Sequence, residues 1–426
     1  MRILLISFYF APYNAVGAVR PTRMAECLEK LGHEVFVLTS DRQSIAVGLD
    51  SRLPEARIAR TPWLNVNAPV ELLLGRERVA GEGYAGAGGG SGIVAALGAL
   101  YRSLLHVPDA QTGWRAPALR RGAEILRSAG PFDMIYASAP PFSGLMVAAR
   151  LSRMTGLPWV AELRDLWTDN HHYRHGRLRH ALDRRIEARV LASASALVTV
   201  SEPLAQTLRG RFLMPVEVVP NGYDEFHPLT AAASPTARQF ELVYTGSIYP
   251  AYDLDTLFSA LALLREERPH LRICFHGRNL GALRLRLQNS GFDDLFRISQ
   301  TVPHEEALAR QRAADALLFF GWRGAQGDGI LTSKLFEYLG SRRPILAIGS
   351  AAADTGRMIG NSGSGFVSND PHEIAGWLRS AIRARMTIGR AQDLPPEPVR
   401  QYSRDQQATK LDRFLRRLFA DKVGGR

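Results

Sequence analysis

The stretch "FHPLTAAASPTARQFELVYTGS" (Phe226–Ser247) divides the chain. Its first part is rich in Ala, Thr, Ser and Pro and carries no periodicity. Its second part opens a new apolar strand that ends on a glycine. Before it, short β-rich runs alternate with helical patterns: "RILLISFYF", "EVFVLTS", "FDMIYASAP", "PWVAEL", "ALVTVS" and "VEVVPNG". After it the alternation restarts with "FELVYTGS" and continues through "LRICFHG", "ADALLFFGW" and "RPILAIG". Strands alternating with helices imply parallel sheets joined by right-handed crossovers. Two such sets around a linker predict an α/β protein of two Rossmann-like domains, residues 1–228 and 239–400, with 229–238 between them. The terminal "RDQQATKLDRFLRRLFADKV" places Leu411, Phe414, Leu415, Leu418 and Phe419 on one helical stripe. Residues 401–426 are therefore expected to form a helix that packs back across the domain junction.

The bulk numbers agree with this division. At 426 residues the chain is too long for one ordinary core. An apolar fraction of 46% with 22% charged residues describes a globular protein. The net charge of +12 is mostly arginine and suits polyanions, anionic membranes or phosphorylated ligands. Cys27 and Cys274 fall in different halves, which excludes a disulfide framework and fits a reducing cytoplasm. "MRILLISFYFAP" lacks a small-x-small cleavage site and reads as the first strand rather than a leader. "GIVAALGALYRSLL" (92–105) is interrupted by Arg102 and too short to span a bilayer, so a soluble or peripheral protein is expected.

Several segments invite chemistry. "GEGYAGAGGGSG" (Gly81–Gly92) has no Lys-Ser or Lys-Thr after it and is a glycine-rich loop, not a P-loop. In "APYNAVGAVR", Gly17 permits close backbone approach, a helix begins near Val19–Pro21, and Arg20 adds a fixed charge that could meet an anion. A plain crossover loop is the competing reading. No G-x-G-x-x-G stands at this turn, and Thr39–Ser40–Asp41 does not make the acidic strand end of a dehydrogenase. In "VAELRDLWTDNHHYRHGR", Arg164 and Asp165 fall at the carboxyl edge of a parallel sheet, where ligands bind; a salt-bridged turn is the alternative. His171, His172 and His175 lie in a polar, arginine-rich run and are not read as metal ligands. Asp253 or Asp255 of "YDLDTL" is expected to cap a helix. Leu178, Leu182, Ile186 and Val190 share i+4 spacing, which predicts a core-facing helix with a basic outer face, a membrane-lying helix being the weaker reading. Recognition of nucleic acid is not supported by any aromatic-interleaved basic strand.

The most informative segment is "GDGILTSKLFEYLGSRRPILAIG" (Gly327–Gly349). Lys334 sits in the first turn of a helix, where the dipole is already positive, so a cation there is unfavourable without an anion. Thr332 or Ser333 can cap the helix, and Glu337 shares a face with Lys334. A phosphate at this terminus would satisfy Lys334 and the amides together. A carboxylate one turn on could accept hydrogen bonds from a vicinal diol. An exposed Lys–Glu pair is the bland alternative.

Taken in order, "FYFAPYNAVGAVR", "LEKLGHEVFVLT", "PDAQTGW", "YASAPPFSG", "PWVAELRDLWTDN", "VTVSEPL", "VEVVPNGYD", "YTGSIY" and "SKLFEYLGSRRPIL" resemble a GT-B glycosyltransferase of the bacterial family 4 type, over nearly the whole chain. The resemblance implies two Rossmann-like domains facing a central cleft, with a nucleotide-diphosphate sugar held mainly on the C-terminal domain. It implies a glycan or lipid-linked acceptor on the N-terminal side, retention at the sugar, and no metal or other cofactor. It assigns Gly17, Arg20, Gly246, Ser247, Gly329, Ile330, Leu331, Thr332, Ser333, Lys334 and Glu337 to the donor, and Arg164, Asp165 and Lys334 to catalysis. Three departures stand out. The family has two glutamates separated by seven residues; Glu337 matches the second, and Gly329 occupies the place of the first. The Arg and Lys that often follow "YTGS" are replaced by "IYPAYDLD". Arg164 stands where relatives often carry a histidine, so it would bind or stabilise charge rather than act as a base. The resemblance implies cell-surface polysaccharide or glycolipid synthesis in the cytoplasm, with a peripheral contact to an anionic membrane compatible with the charge. A nucleotide-sugar epimerase and a non-catalytic binding protein on the same fold are the alternatives.

Overall fold

The computed structural model describes residues 1–43, 45, 47–66, 106–170, 173, 175–224, 239–288, 290–300, 302–321, 331–389 and 393–423. The glycine-rich segment, the 92–105 run, the 229–238 linker, and His171 and His172 lie outside them. By contact the chain divides into two units, Met1–Val219 with Ala408–Arg426, and Pro220–Gln407. The division thus falls before Pro220 rather than after residue 228. The reason is local: Asn221 Nδ2 donates to Leu331 O (3.4 Å), and Tyr223 pairs with Ser403 and packs where a side chain on Gly340 would sit.

In the first unit, β1 (Arg2–Ile6), β2 (Glu34–Ser40), β3 (Ile58–Thr61), β4 (Met134–Ala139), β5 (Trp159–Leu163), β6 (Ala196–Thr199) and β7 (Val216–Val218) form a sheet ordered β3-β2-β1-β4-β5-β6-β7. Each neighbouring pair of these strands is parallel. The crossovers include α1 (Val16–Lys30), α2 (Arg115–Ser128), α3 (Ser143–Thr155), α4 (Arg177–Leu191) and α5 (Glu202–Arg209). Leu4 and Ile6 enter one core and Ile3 and Leu5 the other, which explains why "RILLI" is apolar without alternation.

The second unit contains β8 (Phe240–Thr245), β9 (Leu271–His276), β10 (Phe296–Ser299), β11 (Ala316–Phe320), β12 (Ile345–Ile348) and β13 (Gly365–Ser368), ordered β10-β9-β8-β11-β12-β13. Its helices include α6 (Leu254–Ala262), α7 (Gly281–Leu287), α8 (His304–Ala313), α9 (Ser333–Ser341), α10 (Asp354–Asn361), α11 (Pro371–Ile388) and α12 (Glu397–Arg400). Asp253 caps α6, its Oδ1 accepting from Thr256 N at 3.0 Å. In both sheets the strand order reverses beside the unit's first strand, between β1 and β4 and between β8 and β11. Such reversals open a crevice at the carboxyl ends of the strands.

The last helix, α13 (Arg404–Val423), begins in the second unit and ends in the first. Ala408, Leu411, Phe414 and Leu415 join the core containing Ile3 and Leu28, while Leu418 packs at its margin. Asp412 Oδ1 of the same helix meets His33 Nε2, in the turn between α1 and β2, at 2.6 Å.

Two expected details differ. Helix α1 starts at Val16, so Gly17 lies within its first turn rather than in the loop before it. On α4 the inward stripe is Arg179, Asp183, Glu187 and Val190, whereas Leu178 and Leu182 are exposed. Buried ion pairs hold that polar stripe inside: Arg179 Nε to Asp183 Oδ1 at 2.8 Å, and Arg211 Nη2 to Glu187 Oε2 at 2.8 Å.

Candidate functional site

At the second strand reversal, β8 ends in Tyr244-Thr245 and turns at Gly246, whose φ of +115° favours glycine. The Gly246 amide donates to His276 O at 2.8 Å. A Cβ on Gly246 would lie 2.9 Å from Lys334 Cε and 3.0 Å from its Nζ, so the glycine also makes room for the lysine. Lys334 stands in the first turn of α9. Its Nζ lies 3.9 Å from the Tyr244 ring centroid and donates to the Tyr244 hydroxyl at 2.6 Å. That hydroxyl in turn donates to Ser247 O at 2.6 Å. Buried Tyr338, one turn further along α9, accepts from Thr245 N at 3.0 Å and locks the helix to the end of β8.

Burial lowers the Lys334 pKa to about 7, against the raising effect of Glu337. Among the described residues no carboxylate forms an ion pair with it. The neighbouring phenol supplies no counter-charge either, because burial first, then Tyr252 and Tyr338, push the Tyr244 pKa up. A protonated ammonium here therefore meets a π face, a neutral hydroxyl and the positive end of a helix dipole. Thr332 occupies the N-cap position without making a capping bond, and its Oγ1 is buried with no hydrogen-bond partner among the described residues. The terminal amides are left without a side-chain cap, an arrangement that attracts an anion. One turn on, Glu337 Oε2 lies 3.5 Å from Gln311 Nε2, at the outer limit of a hydrogen bond. Fully buried Gln311 donates to Thr245 Oγ1 at 2.9 Å and ties α8 to the same strand end.

At the first strand reversal the charges are already occupied. Arg164 donates from Nη1 to Gly17 O at 2.5 Å, from Nε to Ala139 O at 3.1 Å, and from Nη2 to Pro140 O. A Cβ on Gly17 would sit 3.1 Å from Tyr9 Cδ2 and 3.4 Å from Arg164 Nη1, so the glycine admits the guanidinium. Arg20 was expected to face an anion at this turn. Instead it is buried, pairing through Nη2 with Glu162 Oε1 at 2.8 Å and with Val219 O at 2.7 Å. Tyr136 OH donates to the same Glu162 oxygen at 2.8 Å, and Ser138 Oγ donates to the other. Burial would raise the Glu162 pKa, but Arg20, the Ser138 bond and Arg164 outweigh it and hold the carboxyl below its ordinary value. Asp165 is exposed beside Arg164. Asp109 of "PDAQTGW" secures the start of α3, accepting from Ser143 N at 2.9 Å and Ser143 Oγ at 2.6 Å.

The structure thus gathers Gly246, Ser247, Leu331, Thr332, Ser333, Lys334 and Glu337 about one strand end and one helix start. Gly17, Arg20, Arg164 and Asp165 belong to the other unit. Gly329 and Ile330 lie outside the described residues. Reading the sequence missed Tyr244, Gln311 and Glu162. The signal for Glu162 was present: a lone carboxylate inside the apolar strand "WVAEL" needs a buried partner. Tyr244 and Gln311 carried no comparable signal. Among the described residues no group of His, Cys, Asp and Glu could hold a metal ion, and no helix is long and apolar enough to cross a membrane.

Residues 17–222 match the family model of the glycosyl transferase 4-like domain. By sequence, no curated protein matches the chain. In structure the chain is similar to the sucrose-phosphate synthase of Thermosynechococcus elongatus, with 16% identity, a TM-score of 0.61, and coverage of 99% of this chain and 100% of that one. It is similar to HepE of Anabaena in complex with UDP and glucose, at 15% identity and TM-score 0.59, covering 97% of this chain and 99% of that one. It is also similar to WaaG, a glycosyltransferase involved in lipopolysaccharide biosynthesis, at 14% identity and TM-score 0.53, covering 96% and 98%.

Proposed function

We propose that this chain, whose fold is that of GT-B proteins and whose residues 17–222 match the glycosyl transferase 4-like domain, is a glycosyltransferase that moves a sugar from a nucleotide-diphosphate sugar to a hydroxyl of a glycan or lipid-linked acceptor. The observation that carries the donor assignment is Lys334, a lysine packed on Tyr244 without an anionic partner among the described residues, at an α9 terminus without a side-chain cap. A UDP complex of a structurally similar protein supports the choice of a nucleotide donor.

In this reading the donor pyrophosphate meets the α9 amides and Lys334, and the Glu337 carboxylate accepts from the ribose hydroxyls. The bond between the anomeric carbon and the terminal phosphate oxygen breaks while a bond from that carbon to the acceptor oxygen forms. The electron pair of the broken bond stays on the leaving diphosphate, which also takes the acceptor's hydroxyl proton. Negative charge on the diphosphate grows toward the transition state, so Lys334 and the helix terminus favour that state over the bound donor. Attack from the face that the leaving group vacates gives retention and needs no separate base. Gly246 and Ser247, at the end of β8 beside Lys334 and Tyr244, would border the bound diphosphate. Arg164 and Arg20 keep positioning roles in the N-terminal unit, since their donors are directed to carbonyls and to Glu162.

Incubation with UDP-, GDP- and ADP-sugars, with release of nucleotide diphosphate as the readout, tests the reading. Release that rises with a lipid-linked or glycan acceptor is expected. An isomerised donor without release would make the protein an epimerase, and binding without turnover across the panel would make it a binding protein.

A further inference from the structure

We infer that Gln311 is a positioning residue that holds the Glu337 carboxylate off the Lys334 ammonium, leaving each charge to a different part of the donor. It deepens the donor reading above, on which the choice of ligand rests. Lys334 and Glu337 are three residues apart on α9, a spacing at which opposite charges meet on a helix surface. Here they turn apart. Lys334 Nζ donates to the Tyr244 hydroxyl at 2.6 Å, and Glu337 Oε2 lies 3.5 Å from Gln311 Nε2. Among the described residues no ion pair joins the two charges.

Gln311 is 0% exposed, so it meets a ligand only through another side chain. One Nε2 hydrogen goes to Thr245 Oγ1 at 2.9 Å, and Thr245 is itself fixed by its amide bond to the Tyr338 hydroxyl at 3.0 Å. The second hydrogen is left for Glu337. The reverse amide orientation would set an oxygen against the carboxylate, so charge decides which end faces α9. Gln311 Oε1 is buried with no hydrogen-bond partner. An orphaned buried oxygen lowers stability, and a methionine or leucine would fill the space without one. The amide is therefore explained by its nitrogen and not by packing.

The other titratable groups around the lysine leave this role to Glu337. Burial pushes the pKa of Tyr244, Tyr252 and Tyr338 up, so the phenols are neutral. Burial, and then Arg310, lower that of His276 at the end of β9 to about 4, and Arg310 on α8 pairs with Glu306. Released from Gln311, Glu337 would rotate onto Lys334 and raise its pKa by about one unit or more. A diphosphate and a diol would then have to break an ion pair to bind.

The test is 13C spectroscopy of lysine Cε across pH in the ligand-free full chain, with Lys334→Met identifying the resonance. Lys334 is expected to titrate at about 7 in wild type. In Gln311→Met it should titrate about one unit higher or more, a tenfold change in its ammonium-to-amine ratio. It should return to the wild-type value in Gln311→Met/Glu337→Gln. Gln311→Leu serves in the same way if the methionine variant does not fold. An unchanged titration in a folded Gln311 variant overturns the inference, and so does a raised one that persists without the Glu337 carboxylate. Nucleotide-sugar binding is measured separately in the same preparations. A wild type that binds none breaks the donor reading, while the lysine titration still decides the part played by Gln311.

Discussion

The two strand reversals make the same crevice from the same strand order and furnish it in opposite ways. Beside β1 and β4, each cation already has its acceptors: Arg164 spans three carbonyls, and Arg20 lies on Glu162 with Tyr136 and Ser138 completing the carboxylate. Beside β8 and β11, Lys334 has a phenol and a helix terminus. Both sites bury a charge, and only the first neutralises it. A compensated charge contributes to holding its unit together. An uncompensated one lowers stability and gains free energy when an anion arrives, which is what a binding site requires.

The largest effect should come from breaking the compensated site. Glu162→Gln removes the carboxylate charge that faces buried Arg20 and should destabilise the N-terminal unit by roughly 3–5 kcal/mol, read from chemical denaturation. Donor binding by the second unit should persist; a variant that denatures like wild type would show that the pair is not a strut. Acid acts on the same group. The Glu162 pKa lies below its ordinary value in the fold, so its contribution is complete above that ordinary value and disappears as pH falls through the lower folded one.

Next in size is Lys334→Met, which should reduce turnover about 10²- to 10³-fold. Removing an uncompensated charge should leave the melting temperature unchanged or raise it by about 2–4 °C. A variant that loses both activity and stability would show that Lys334 is a structural cation after all.

A third prediction follows from the Lys334 pKa of about 7. The diphosphate of a nucleotide sugar stays fully ionised near neutrality, so the lysine sets the pH dependence. Donor affinity should fall as pH rises above 7, approaching tenfold per unit, and the fall should be absent in Lys334→Met. Calorimetry in buffers of different ionisation enthalpy would detect the proton taken up on binding. The smallest effect belongs to Tyr244→Phe, which keeps the ring under the ammonium and removes only the hydroxyl. Turnover should change by about two- to fivefold; a loss equal to that of Lys334→Met would assign the phenol a direct contact with the donor.

Much of the fold is legible in the chain because the central strands are buried on both faces and read as apolar runs. The strands that escape such a reading are β3, β10 and β13, and each lies at a sheet edge. "IART", "FRIS" and "GFVS" are short and partly exposed, so selection for apolar residues is weak there. Helix α4 shows a different limit. Its leucine stripe and its charged stripe have the same i+4 spacing, and periodicity alone ranks them by hydrophobicity. Only Arg211, Tyr173 and Thr168, arriving from elsewhere in the unit, make burial of the charged stripe favourable.

The site divides along the same line. That a lysine occupies a helix start, with a carboxylate one turn later and a glycine turn at a strand end, is local information, and the sequence alone determines it. Which cations remain uncompensated is decided by partners remote in the chain. Arg20 and Glu162 are 142 residues apart, and Lys334 and Tyr244 are 90 apart. A charge's partner is set by distance in space, and Coulomb and desolvation energies depend on that distance and on burial rather than on sequence separation. Arg20 and Lys334 look alike as cations near a helix start; tertiary structure alone makes one a strut and leaves the other available to an anion.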